Sequence, residues 1–242
     1  MGMKKFDMNQ VKWYAPFGPV IMEYRISDEL HNILITRADQ LRDGTHPNSD
    51  INAETNDYRR SLAGCLSEEY SYKKAFTEEE DKFVNDELTF LAAQYTVAAH
   101  QAGKVKKHGV RTPDQILMQR PLWVNYMKSG EWNPAHNHTG DISCVTYLQV
   151  PDEIKEENNS NESSNKSNTP SAGKLEFSYG DQIGYSNTGC IMNPKEKDIY
   201  IFPAKLHHLV YPFKSKVERI SVSVNFSDKI DAMRNLQAKG ER

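Results

Sequence analysis

The sequence is short of cysteine, of charge of one sign and of long apolar runs, and each shortage removes a class of protein. Its three cysteines, Cys65, Cys144 and Cys190, are odd in number and far apart. They offer neither a disulfide framework nor a Cys-x-x-Cys metal knuckle, and they fit a reducing compartment. No stretch approaches the roughly 18–20 apolar residues of a membrane-spanning helix. The opening MGMKKFDMNQVKWY has no apolar core of the kind a secretion signal carries. Phe6 stands where a myristoylation site needs Ser or Thr. Lys and Arg number 30 against 33 Asp and Glu, a net charge of −3, so no global basic field exists to hold nucleic acid. The one basic run, Lys104-Val105-Lys106-Lys107-His108, reads as a solvated loop. P-loop and Ser-His-Asp patterns are also absent. These absences leave a protein expected in the cytoplasm, with 38% hydrophobic residues and room for one large domain, or one domain with a helical extension.

What is present divides in two. The stretch PVIMEYRI (19–26) reads as a strand, and Ser27-Asp28-Glu29 then caps a helix carrying Leu30, Ile33, Leu34 and Leu41 on one side. Residues 43–76 are polar and irregular. Thr77-Glu78-Glu79-Glu80 is a capping box opening a helix that runs to Gly103, with an apolar stripe of Val84, Leu88, Leu91, Ala92 and Tyr95. From residue 119 onward come short β-like runs: 121–127, 142–150, 173–179, 198–204, 209–213 and 219–227. Strands in series with helices ahead of them indicate an α+β protein built on a sandwich or barrel. Between the second and third runs, 153–172 is dominated by Asn and Ser and reads as a disordered insertion. The expected organisation is therefore 1–118 packing on the barrel, 119–228 as the core, and 229–242 as a tail.

Three features carry chemistry. In RISVSVNFS (219–227), Ile220, Val222, Val224 and Phe226 share one face and Arg219, Ser221, Ser223 and Asn225 the other. A guanidinium leading a face of hydroxyls suits a carboxylate ligand, although an exposed outer strand would show the same alternation. His136 and His138, two apart at a strand end, can turn both imidazoles to one ion. His207 and His208 are adjacent, so at most one can join them.

The order His-x-His, strand, Gly-led strand, Phe-Pro strand, His before Val-x-Pro, then Arg-x-Ser resembles the iron(II)- and 2-oxoglutarate-dependent oxygenases. It is closest to their prolyl-hydroxylase-like branch and to a group of His-x-His oxygenases frequent in phages of marine cyanobacteria. The resemblance spans roughly 119–228 and only loosely the helices. It implies a double-stranded β-helix (jelly-roll) barrel preceded by packing helices, with Fe(II) and 2-oxoglutarate as cofactors and ascorbate as a reductant. It further implies His136 and His208 as metal ligands, Arg219 and Ser221 on the cosubstrate carboxylate, and Tyr126 and Tyr147 as cosubstrate contacts. A phage origin would place the protein in a host cytoplasm. The implied activity is hydroxylation of a protein, peptide or small molecule, and the helices would shape the substrate entrance or a dimer interface.

The chain departs from the branch at His138, where an Asp is the rule. Either three neutral imidazoles hold the metal, or Asp141 supplies a carboxylate as a fourth or replacement ligand. Two other readings remain open at this point. One is a non-catalytic jelly-roll module that binds metal or serves structurally; the other is a cupin-like three-histidine dioxygenase that does not use 2-oxoglutarate.

Overall fold

The computed structural model describes residues 18–61, 63–106, 109–160, 169–184 and 187–230. Helix α1 (Asp28–Asp43) starts where the sequence caps it: the Ser27 hydroxyl accepts the Leu30 N–H at 3.0 Å. It stops at Gly44, which takes a left-handed φ of 66° and returns its N–H to Gln40 O. Leu30, Leu34, Ala38 and Leu41 recur at helical spacing and are buried. Helix α2 (Glu78–Gln101) forms the expected capping box between Thr77 and Glu80. Arg37 of α1 grips the Glu80 carboxylate through Nε and Nη2, at 2.9 and 3.0 Å. The cap of one helix is thus also the clasp to the other.

The helices cover one sheet. Strands β1 (Met22–Arg25), β2 (Glu68–Ser71), β4 (Trp123–Met127), β6 (Ile142–Gln149), β9 (Asp198–Pro203) and β11 (Arg219–Asp228) lie in the order β1-β9-β6-β11-β4-β2. Short β3 (Ile116–Met118) pairs with the far end of β11. A second sheet runs β5-β10-β7-β8, from β5 (Asn133–His136), β10 (His207–Val210), β7 (Leu175–Ser178) and β8 (Gly189–Met192). All pairings are antiparallel. Ile220, Val222, Val224 and Phe226 of β11 join Leu30, Leu34, Val84 and Leu88 of the helices in the larger apolar core. The smaller core, with Leu175, Phe177, Phe202 and Phe213, lies between the sheets.

Four strands fell outside the sequence reading: β2, within the segment read as irregular, and β3, β5 and β8. The run expected at 209–213 is instead the strand His207–Val210. The insertion is also corrected in part, because residues Asp152–Asn159 form helix α3. Its composition is polar, but Ile154 is buried and the helix is clasped on two sides near its C-terminal end. Asn158 exchanges hydrogen bonds with both backbone groups of Ala172 at 2.9 Å. Glu157 accepts the N–H groups of Lys214 and Ser215 at 2.9 Å. One buried residue with polar clasps offsets the ordering entropy that composition alone suggested could not be met. Residues 161–168, Lys107, His108 and the tail from 231 lie outside the described residues.

Leu34 is fully buried where α1 meets the sheet. Leu34→Ala is expected to cost about 2–5 kcal/mol, read as a lower denaturation midpoint with unchanged slope.

Candidate metal centre

Antiparallel pairing of β10 with β5 sets His208 directly across from His136. Directly paired residues bring their Cβ atoms to about 5 Å, and the two rings stand 4.4 Å apart, centroid to centroid. The chain then leaves β5, and the His138 N–H donates to Ala204 O at 2.8 Å. That bond swings the third imidazole in, 5.0 Å from each of the other two rings. One ligand atom from each histidine lies within 4.8 Å of the others. His207, the other candidate, is exposed and faces Asn137.

The backbone fixes which nitrogens are free. His136 Nδ1 lies 2.7 Å from Pro134 O, and His208 Nδ1 lies 3.0 Å from Leu206 O. A carbonyl only accepts, so both Nδ1 atoms carry the proton and both Nε2 lone pairs face the cluster. His138 Nε2 is 3.2 Å from His208 Nε2. Two nitrogens bound side by side to one ion at about 2.1 Å would stand about 3 Å apart, so this pair is already spaced for a shared metal. A carbonyl on the far nitrogen is the usual outer support of a ligating histidine.

Burial, followed by the neighbouring imidazoles, lowers the pKa of His138 to about 3. His208 is lowered to about 4, again chiefly by burial, with the Leu206 carbonyl opposing. Both rings are therefore neutral at physiological pH, the form a metal needs.

Arg219 lies in the same cavity, of about 240 Å³, together with Tyr147, Ser221, Ser223 and Asn225. The residue as a whole is 2% exposed. Nη1 donates to Gly173 O at 2.7 Å and Nη2 to the sulfur of Met127 at 2.9 Å, while Nε is buried with no partner. Among the described residues no carboxylate pairs with it. Burial lowers its pKa, opposed by Tyr147, whose ring centre is 5.3 Å from the guanidinium carbon.

Two expected site residues are elsewhere. Asp141 is not in the histidine cluster; its carboxylate accepts the Asp228 N–H at 2.8 Å and is spent closing the sheet end. Tyr126 is corrected as well. On β4 the alternating residues Trp123 and Asn125 line the cavity, so Tyr126 points to the helix side, where Arg42 sits 4.5 Å from its ring centre. The sequence reading passed over Trp123 and Asn125, although the alternation that exposed the face of β11 was present in WVNYM too. Glu69 also lines the cavity, and no signal in the polar segment around it marked it out.

Sequence comparison matches residues 121–225 to the family described as "Putative 2OG-Fe(II) oxygenase". No curated protein matches the chain. Among solved structures, AviO1 from Streptomyces viridochromogenes overlays with a TM-score of 0.52 at 12% identity, covering 86% of this chain and 89% of that one. The non-heme alpha ketoglutarate dependent carbocyclase SnoK from nogalamycin biosynthesis gives 0.52 at 10% identity, covering 92% and 84%. A Pseudomonas putida prolyl-4-hydroxylase gives 0.48 at 12% identity, covering 86% and 92%. The jelly-roll fold with packing helices that the resemblance implied is the one observed.

The neutral imidazoles set a pH dependence. Unfolded, each takes a proton near its ordinary 6.5; folded, His138 does so only near 3 and His208 only near 4. The unfolded chain binds more protons in that window, so stability falls as pH drops through it. The melting temperature of metal-free protein should decline from pH 6.5 toward pH 4, and less steeply in the His138→Gln, His208→Gln double variant.

Proposed function

We propose that this chain, whose residues 121–225 match the 2OG-Fe(II) oxygenase family model, is such an oxygenase and holds its iron through His136, His138 and His208 and its cosubstrate through Arg219. Bound together, iron(II) and 2-oxoglutarate supply the oxygen-activating chemistry that hydroxylates a C–H bond, with succinate and carbon dioxide as coproducts. The donor set suits the ion: three imidazoles, two locked with Nε2 inward, leave one side of the cluster open to the cavity.

The observation that carries the reading is the unpaired guanidinium. A buried charge without a partner is costly, and Arg219 sits within the cavity that contains the histidines. A carboxylate arriving there gains a charge-assisted fork of donors with little reorganisation. Ser221, two residues along the same strand face, offers a hydroxyl to it, and Tyr147 flanks it. Leu175, Phe202 and Val210 form the apolar wall, which limits water around the reacting groups. No side-chain nucleophile or general base takes part.

A structural module or a cupin-like site would have no use for a guanidinium held in this way. The substrate is proposed to be a peptide side chain or a small molecule, with ascorbate as the reductant that maintains iron(II). Among the described residues no helix is long and apolar enough to cross a membrane.

Two expectations follow. In anaerobic iron(II) titrations, alanine at 136, 138 or 208 should each weaken binding by more than the ~10–100-fold typical of losing an outer-shell partner, while Asp141→Asn binds as wild type. Normal binding by His138→Ala would remove the three-histidine site. Succinate release with iron(II), ascorbate and 2-oxoglutarate should depend on the protein. Arg219→Ala should lower 2-oxoglutarate affinity on the order of 100-fold, as when one partner of a buried charge pair is lost; an unaffected Arg219→Ala would refute the cosubstrate assignment.

A further inference from the structure

The metal centre and Arg219 leave one end of the cavity without a role. Glu69 on β2 pairs directly with Asn125 on β4, and both side chains line the cavity with Asn133. Glu69 is 3% exposed and Asn125 6%. The Oδ1 atoms of Asn125 and Asn133 are buried without a hydrogen-bond partner. Among the described residues, no donor reaches the Glu69 carboxylate either. A Cβ on Gly64 would lie 2.4 Å from Asn133 Oδ1 and 3.8 Å from Glu69 Oε1. These two oxygens therefore lie no farther apart than those two distances together allow, and a side chain at position 64 would crowd them.

The unpartnered atoms at this end, two amide oxygens and a carboxylate, are acceptors, and buried acceptors without donors are destabilising. The surroundings do not compensate. Glu131 and Asp57 repel a charge on Glu69, and the nearby cation, Arg59, is held at 2.6 Å by Asp57. Burial first, and then those two carboxylates, raise the Glu69 pKa to about 7. A ligand that restores balance must bring donors and positive charge. A hard metal ion needs about six oxygens, and these side chains offer four at most. An ammonium has three N–H donors and no acceptor, matching one carboxylate and two amide oxygens.

We propose that Glu69, Asn125 and Asn133 form a substrate subsite for an alkylammonium group, as carried by a free amine or a lysine side chain. The inference rests on the oxygenase reading for the word substrate, while the binding site stands on its own geometry. The cavity then has two electrically opposite ends, Arg219 for the carboxylate of the cosubstrate and Glu69 for the cation of the molecule being oxidised.

The test is a fluorescence titration of the full-length, metal-free protein, since Trp123 lines the cavity. The probes are n-butylammonium, the neutral isostere n-butanol, and Nα-acetyl-lysine methylamide. The n-butylammonium ion should bind about tenfold or more tightly than n-butanol, the scale of one charge-assisted hydrogen bond. Glu69→Gln should abolish that preference. Should Glu69→Gln fail to fold, Asn133→Leu must reduce it instead. Tighter binding of the capped lysine assigns a protein side chain as the source; equal or weaker binding assigns a free amine. Equal affinity for cation and alcohol, a preference that survives Glu69→Gln, or Glu69-dependent binding of Mg²⁺ in place of the amine would overturn the subsite. A parallel 2-oxoglutarate titration separates the two readings. Arg219-dependent 2-oxoglutarate binding without amine preference sinks the subsite alone, whereas loss of 2-oxoglutarate binding sinks the oxygenase reading and leaves the amine result standing.

Discussion

One strand sets the terms for the whole molecule. Strand β11 runs through the middle of the larger sheet, with β6 on one side and β3 and β4 on the other. Because successive side chains on a strand point to opposite faces, Ile220, Val222, Val224 and Phe226 must go one way and Arg219, Ser221, Ser223 and Asn225 the other. The apolar face recruits α1 and α2, and their burial supplies much of the favourable free energy of folding. The polar face has then no choice but to point between the sheets. Slipping the register by one residue would bury the arginine and serines under the helices, at a cost the core could not offset. The helices therefore do more than cover a sheet: they hold Arg219 inward.

The same rows extend across neighbouring strands. Glu69 pairs with Asn125, Asn125 with Ser221, and Ser221 with Tyr147. Four strands thus carry one line of inward residues from a carboxylate at the sheet edge to a tyrosine beside Arg219. Polar groups on such a line resist burial individually. Around a cavity that takes ligands they gain partners at the moment of binding, which is where stability left unrealised in folding can reappear as affinity.

Much of this was legible in the sequence because period-two alternation and cap chemistry are local. The caps at Ser27 and Thr77 and the two faces of β11 all depend on residues within a few positions of each other. What escaped depended on partners far along the chain. Tyr126 looked like a site residue by its distance from His136, but its strand parity, fixed by pairing with β11 and β2, turns it outward. Asp141 looked like a ligand because of the spacing His-x-His-x-x-Asp; its carboxylate instead satisfies the Asp228 N–H, 87 residues away. Glu69 carries no local signal, since its burial depends on pairing with β4, far along the chain. Helix α3 shows the same limit: composition registers a polar segment but not that Ile154 finds a pocket beside Gly173, where an added Cβ would approach it to 2.7 Å.

The proposed three-histidine site ties these pieces together. Where a carboxylate would cancel one of the two positive charges on an iron(II), an imidazole in the place proposed for His138 would cancel none. The cluster, if loaded as proposed, would with Arg219 in the same cavity be strongly cationic in a space of low dielectric. Such a field favours a doubly charged acid and draws it to the metal and the guanidinium together, so His138 strengthens the case for a dicarboxylate cosubstrate. It also bears on Glu69. A carboxyl held near neutrality by burial and two acidic neighbours ionises more readily once a positive metal occupies the cavity, and an ionised Glu69 attracts an ammonium more strongly. The metal's own charge meanwhile repels that ammonium, so loading of the metal site and capture of a cationic substrate are coupled through two opposed charge contributions, without any movement of the barrel.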